Sequence, residues 1–176
     1  MDHDGNWKGL HFQARRFFAD LAVAALREEG VTRVSLLNDT PQAQSVRWRL
    51  RVMDLQGRLL GTQEQALVLA PGSATEVGHF SDARLLGAAD PARTIAVVDM
   101  LQGDRELSRP VVGFVEARAQ ALQSGQLQAS LEGEGDARDV VLQAQGLVRA
   151  AWIDFGANEV VLEDNLLDLL PGERRV

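Results

Sequence analysis

Cysteine and tyrosine are both absent from this chain of 176 residues. Without cysteine there is no disulfide framework, no thiol nucleophile and no thiolate metal site. Imidazole comes from only three residues, His3, His11 and His79. None has a second histidine three to five positions away, the spacing that lets one helix face present a zinc pair. Neither a metal nor a cofactor is expected. Aromatic residues make up only 5% of the chain, so few side chains are available to stack on sugar rings. Positive charge is also short. Against 25 acidic residues stand 18 basic ones, for a net charge of -7, and such a field repels nucleic acid and anionic membrane surfaces. Neither is an expected partner. No apolar run approaches the roughly 18 residues that cross a bilayer, and the opening MDHDGNWKG lacks the basic and apolar regions of a signal peptide. The chain reads as soluble, with its compartment left open.

The chain does contain enough apolar residues for a core, 45% of the total, and its length suits one large domain or two small ones. Trp7, Leu10, Ala14, Phe17, Phe18 and Leu21 recur at intervals of three and four, which predicts a short amphipathic helix. Past Gly30 the rhythm changes. Val31 to Leu36 leads into the turn cluster Asn38-Asp39-Thr40-Pro41, and residues 46–52 (VRWRLRV) then alternate strictly between apolar and basic, the period of a half-buried strand. Gln56-Gly57 suits a hairpin turn, Leu59 to Leu69 supplies the next strand and Pro71-Gly72 closes it. Thr75 to Phe80, Thr94 to Met100 and Val111 to Glu116 are further strand candidates. Short strands with turn signals about every ten residues predict an all-β sandwich. Glu116 to Gln123 is helix-prone and ends at Ser124-Gly125, the best candidate boundary. Beyond it, Gln126 to Leu131, Asp139 to Gln145, Leu147 to Phe155 and Glu159 to Glu163 resume the pattern.

One internal echo links the two halves. LVLAPGS at 67–73 and LDLLPGE at 167–173 share the form L-x-L-x-P-G-[S/E]. Proline presets φ and glycine accepts a positive one, so each Pro-Gly fits the centre of a type II turn. After the first echo about forty residues remain before the boundary, enough for about three strands at typical lengths. After the second only Glu173 to Val176 follow. Either the second sandwich is incomplete in this chain, which would leave exposed strand edges, or its topology differs.

No constellation of residues carries an active site. Arg47, Arg49 and Arg51 form a basic stripe that could hold an anion, but alternating charge on an exposed strand face is the ordinary reading. Trp48, on the opposite face, reads as core, like the central tryptophan of immunoglobulin-type sandwiches. Asn158-Glu159 matches the Asn-Glu pair of many retaining glycosidases, without the barrel strand and second carboxylate that chemistry needs. Asn38-Asp39-Thr40 is formally a glycosylation sequon and reads as a turn. Residues 164–173 (DNLLDLLPGE) admit three readings: a helical turn, a carboxylate-lined metal loop, or a turn inside a β-domain. Asp164, Asn165 and Asp168 lack the alternate spacing of a calcium loop. Catalytic and metal-binding residues are thus expected to be none.

Four segments together invite a family comparison. WKGLHFQARRFFA at 7–19 resembles the segment W-K-x-L-H-Y-x-A-R-R-F-F-A-P with which β-mannosidases of glycoside hydrolase family 2 leave their catalytic barrel. VSLLND at 34–39 and LRVMDLQG at 50–57 continue the likeness in order, and DNLLDLLPGE is similar to the family's D-N-Y-F-D-L-L-P-G-E. Phe12, Leu166 and Leu167 stand where the family pattern has aromatic Tyr, Tyr and Phe. The resemblance implies a fold of two tandem immunoglobulin-like β-sandwich domains preceded by a short N-terminal helix: 1–18 helical, 19–116 first sandwich, 117–176 second and truncated. It implies a non-catalytic C-terminal accessory region whose partner is an upstream catalytic (β/α)8 barrel of the same polypeptide, hydrolysing terminal non-reducing β-D-mannosyl residues. Its catalytic glutamates lie upstream, so the chain alone is expected to be inactive. Trp7, Leu10, Phe17 and Phe18 are the expected docking residues. Trp152 is the candidate for oligosaccharide contact, should the chain instead be a carbohydrate-binding module. A free-standing β-sandwich interaction module is the remaining alternative.

Overall fold

The computed structural model describes residues 7–135, 138–156 and 160–176. Two compact units emerge. One takes in residues 16–54 and 58–121, and the other takes in residues up to Arg15 together with 55–57 and 122–176.

The chain opens with helix α1 (Gly9–Phe17) and then turns to strand. Leu21, which the spacing assigns to the helix, instead begins β1 (Leu21–Glu28), in register with β2 (Val31–Asn38) along its whole length. The linking pair Glu29-Gly30 has φ of 48° and 77°, the positive values that a two-residue type I′ hairpin turn requires. Pairing overrides the helical preference of the alanine-rich segment 21–28. β3 (Gln44–Asp54), β4 (Leu59–Leu69), β5 (Ser73–Ser81), the short helix α2 (Asp82–Leu86), β6 (Thr94–Gln102), β7 (Arg105–Ser108) and β8 (Val111–Gly113) complete this unit.

Its strands form two antiparallel sheets, one ordered β1-β2-β5 and the other β4-β3-β6-β7, with β8 also paired to β6. The alternation at 46–52 places Val46, Trp48, Leu50 and Val52 inward, where they pack with Val34, Leu36, Phe80, Val98 and Met100. Trp48 is fully buried, its ring centre 6.1 Å from that of Phe80. Phe80 lies on the backbone of Gly78, where a Cβ would come within 2.7 Å of the ring. Only glycine fits there.

The second unit contains β9 (Leu127–Glu132), β10 (Asp139–Ala144), β11 (Val148–Ala151), β12 (Leu167–Leu169) and β13 (Arg174–Arg175). Its core is Leu142, Ala144, Ala151, Leu167 and Leu169, with Leu127, Val140, Val148 and Ile153 against it. Two expectations are corrected. The helix-prone stretch 116–123 forms only one 3-10 turn, Ala117–Ala119, whose capping residue Glu116 makes no side-chain cap bond. Residues 160–163 are not strand, and Glu159 lies outside the described residues. The strand falls instead inside DNLLDLLPGE, where Leu167 and Leu169 point into the core and Asp168 points out.

The Pro-Gly echo marks a topological repeat. In the first unit β1, β2 and β5 share one sheet while β3 and β4 lie in the other; in the second, β9, β10 and β13 share one sheet while β11 and β12 form the other. β5 pairs with β2 as β13 pairs with β10. Pro71-Gly72 carries the chain from β4 across to β5, and Pro171-Gly172 carries it from β12 to β13. Both glycines have positive φ, 56° and 81°. Each also donates its N–H to the chain near the end of the preceding hairpin's second strand, Gly72 to Thr40 O at 3.2 Å and Gly172 to Ala144 O at 3.0 Å.

Candidate functional site

Helix α1 is apolar on two opposite sides. At about 100° per residue, Leu10 and Phe17 lie within about 20° of each other around the axis, while Phe12 stands about 160° away from Leu10. Phe12 is the helix's one buried residue. Its ring meets Trp152 edge-on at 6.2 Å and Trp7 at 5.6 Å, and Trp7 lies tilted against His11, ring centres 3.8 Å apart. Gly9 lets the helix approach closely, since a Cβ there would sit 3.2 Å from Leu166 Cδ2. Gln13 Nε2 donates to Leu166 O at 3.4 Å, and Arg15 lies 3.5 Å from Asp164. Residues 9–15 of the helix are thereby seated on the second unit. On the other side Leu10 is 77% exposed and Phe17 71%, and Phe18, just past the helix end, is 85% exposed. Trp7 is 42% and Trp152 48% exposed. Of the four residues expected to dock, Leu10 and Phe17 share the open side, and Phe18, just past the helix, is exposed as well. Trp7 belongs partly to the aromatic cluster on the seated side. Phe12, absent from that expected set, is the one that anchors the helix.

The polar groups of DNLLDLLPGE all serve the local fold. Asn165 is buried; its Oδ1 accepts from Ile153 N and Leu166 N, both at 2.8 Å, and its Nδ2 donates to Ile153 O at 2.8 Å. It thus substitutes for a strand neighbour of Ile153. Asp168 accepts from Ala150 N at 2.8 Å, where the backbone bulges at φ 52°, and pairs with Arg149 at 3.1 Å. Glu173 Oε2 accepts from Leu170 N at 2.8 Å, while Glu173 N donates to Leu170 O at 3.0 Å across Pro171-Gly172. Of the three readings open for this segment, the turn inside a β-domain holds. Among the described residues no group of three or more His, Asp and Glu is placed to hold a metal. Asn158-Glu159 lies outside the described residues.

The basic stripe is less exposed than alternation alone suggests. β6 is buried on both faces, and its Asp99 is fully buried directly beside β3. Arg51 donates Nη2 to Asp99 Oδ1 at 2.7 Å and Nε to Oδ2 at 2.9 Å, and Arg49 Nε reaches Oδ2 at 3.0 Å. Arg47 instead faces Glu64, at 3.7 Å. Two of the three guanidiniums are thus committed to an internal carboxylate. Elsewhere, hydrogen bonding to Asp82 raises the Arg27 pKa above its ordinary value, against an opposing desolvation cost. Asn38 is equally committed. Its Nδ2 donates to Gln42 O, Leu69 O and Ala70 O at 2.9, 3.3 and 2.9 Å, and its Oδ1 accepts from Thr40 N and Oγ1 at 3.1 and 2.7 Å. The sequon residue is therefore a buried clamp between two connections that cross the sandwich.

Comparison with known proteins agrees with this architecture. Residues 30–119 match the family described as the Mannosidase Ig/CBM-like domain, and residues 122–176 match an Ig-fold domain family. A beta-mannosidase of Capra hircus is 25% identical over 172 residues, covering 94% of this chain and 20% of that protein. The structure of a beta-D-mannosidase from Dictyoglomus thermophilum superposes with a TM-score of 0.76 at 19% identity, covering 94% of this chain and 20% of that one. An exo-chitosanase from Amycolatopsis orientalis gives 0.63 at 15% identity, covering 97% and 24%. The two superpositions show the shared fold, and the chain spans about a fifth to a quarter of the length of these relatives. With the first sandwich matched over most of its length and an Ig-fold domain behind it, the chain belongs to the Mannosidase Ig/CBM-like domain family and is an immunoglobulin-like accessory region of the β-mannosidase type.

Proposed function

We propose that the chain is the non-catalytic C-terminal accessory region of a family 2 β-mannosidase that removes terminal non-reducing β-D-mannose. It packs against an upstream (β/α)8 barrel of the same polypeptide. The observation that carries this reading is the double-faced helix α1: Phe12 is seated on one side, Leu10 and Phe17 lie bare on the other, and Phe18 just past its end is bare as well. A nine-residue helix is too short to persist alone in water, and contiguous exposed aromatics of this kind mark a contact surface. The matched relatives, of which this chain spans a minor share, supply the class of partner.

The isolated chain should self-associate and bind a hydrophobic dye through this face. Phe17→Ser/Phe18→Ser should abolish dye binding and weaken that association at least about tenfold, since burying one such ring contributes about 1.5–3 kcal/mol. In the full-length enzyme the same pair should lower the melting temperature of the barrel. An unchanged barrel together with a dye-silent, monomeric wild-type chain would sink the proposal.

A second reading rests on the half-exposed ring of Trp152, which offers one stacking face to a sugar at the second unit. Titrating the chain with manno-oligosaccharides while following tryptophan fluorescence should give a saturable change that Trp152→Ala removes. A flat titration rules out this contact.

A further inference from the structure

The two units repeat the same sheet-to-sheet crossings but do not hold them alike. In the first unit Asn38, the last residue of β2, pairs with Ser73 of β5. Its side chain ties the β2–β3 connection at Gln42 to the β4–β5 connection at Leu69 and Ala70. The matching position in the second unit is Ala144. It ends β10, and its N–H donates at 2.9 Å to the carbonyl of Glu173, which follows Pro171-Gly172 as Ser73 follows Pro71-Gly72. A methyl group offers no donor for such a tie. Gln143 makes up part of the deficit, since its Nε2 donates to Gly172 O and Glu173 O, both at 3.3 Å. Both of those acceptors belong to the later crossing.

The tie for the earlier crossing comes from elsewhere in the chain. Residues 55–57 lie between β3 and β4 in sequence, yet they group with the second unit. Leu55 is buried, and its carbonyl accepts from Leu147 N at 3.0 Å in the β10–β11 connection. Gly57, with φ 93°, lies against the β12–β13 connection, where a Cβ would come within 2.9 Å of Pro171 Cβ. LRVMDLQG and DNLLDLLPGE, far apart in the chain, thus meet at Gly57 and Pro171. We propose that residues 55–57 are a strap across the two crossings of the second unit, doing with main chain what the Asn38 side chain does in the first. Position 57 must then lack a Cβ for the sake of Pro171 and not only for its φ. The crossings at Leu147 and Pro171 stay closed while the strap is seated and open when it lifts, a local opening that leaves the first sandwich folded.

The test follows amide hydrogen exchange in the whole 176-residue chain. The Leu147 amide reports the strap directly, because its acceptor is Leu55 O. Gly57→Val should speed its exchange at least about tenfold, since overpacking a close contact favours local opening. Gly57→Ala, the milder change, should speed it less. Amides of residues 46–52 in the first sandwich should keep their wild-type rates. Gly103→Ala is the control: its φ of 61° is also positive, but a Cβ there meets nothing within 4 Å. That variant carries the backbone strain without the collision and should leave Leu147 unchanged. An unchanged Leu147 amide in both Gly57 variants overturns the proposal. So does a matching rise in Gly103→Ala, or a rise shared equally by residues 46–52.

Discussion

Replacing Asn38 by alanine is expected to lower the unfolding free energy of the first sandwich by about 3 kcal/mol, read as a shift in urea midpoint with an unchanged slope. The side chain is wholly buried and has five hydrogen-bond contacts, its two Nδ2 hydrogens shared among three carbonyls. Truncation leaves three backbone carbonyls short of a donor and Thr40 short of an acceptor. Each such group costs about 1–3 kcal/mol when dry, but part of this loop reaches solvent, so the sum falls well below the maximum. Asn38→Asp is the sharper control. It keeps the acceptor for Thr40 while turning the donor into an oxygen aimed at Gln42 O, Leu69 O and Ala70 O, and it should be no more stable than the alanine variant. A loss below about 1 kcal/mol in both would mean that the clamp is incidental.

Asp99→Ala is expected to cost a similar amount, again about 3 kcal/mol. Removing one partner of a buried ion pair typically costs about 3–5 kcal/mol, because the charge left behind has no compensation. Here two guanidiniums are left, but the Arg49 and Arg51 side chains remain 33% and 21% exposed. Water relieves them, which places the effect near the lower end. Asp99→Asn preserves the shape and an acceptor oxygen and should lose less. Chemical denaturation of the three proteins tests the order wild type, Asn, Ala. Equal stability of wild type and Asp99→Ala would mean that the arginines find solvent without penalty.

How much of this was legible in the sequence depended on range. The period of two at 46–52 named β3 and put Trp48 in the core, because one face of that strand is packed and the pattern records it. The Pro-Gly echo, set by local turn chemistry, correctly marked equivalent crossings in two sandwiches. Asp164, Asn165 and Asp168 lack the spacing of a cation loop, and the partners they take in the structure, Arg15, Ile153 and Arg149, are ones no spacing rule names. What escaped depends on distant partners. Segment 21–28 carries alanines that suit a helix and becomes strand only through β2. Arg49 and Arg51 look solvated until Asp99 is brought beside them from about fifty residues away in the chain. Phe12 looked like one more aromatic in a helical run. Its seat among Trp152 and Leu166 comes from the other end of the chain, and nothing within the helix announces it.

That seat has a temporal consequence. Synthesis delivers α1 well before the residues that hold it, so on the ribosome the helix must wait for about a hundred and fifty residues before Asp164 and Leu166 emerge. The first sandwich, nearly continuous between residues 16 and 121, can close in the interval, as domains generally do in order of appearance. The second unit cannot. Its seat for α1 joins segments about a hundred and fifty residues apart, an arrangement with a high loop-closure cost and a slow approach. The second unit therefore closes after the first sandwich, and fixing α1 in place comes later still.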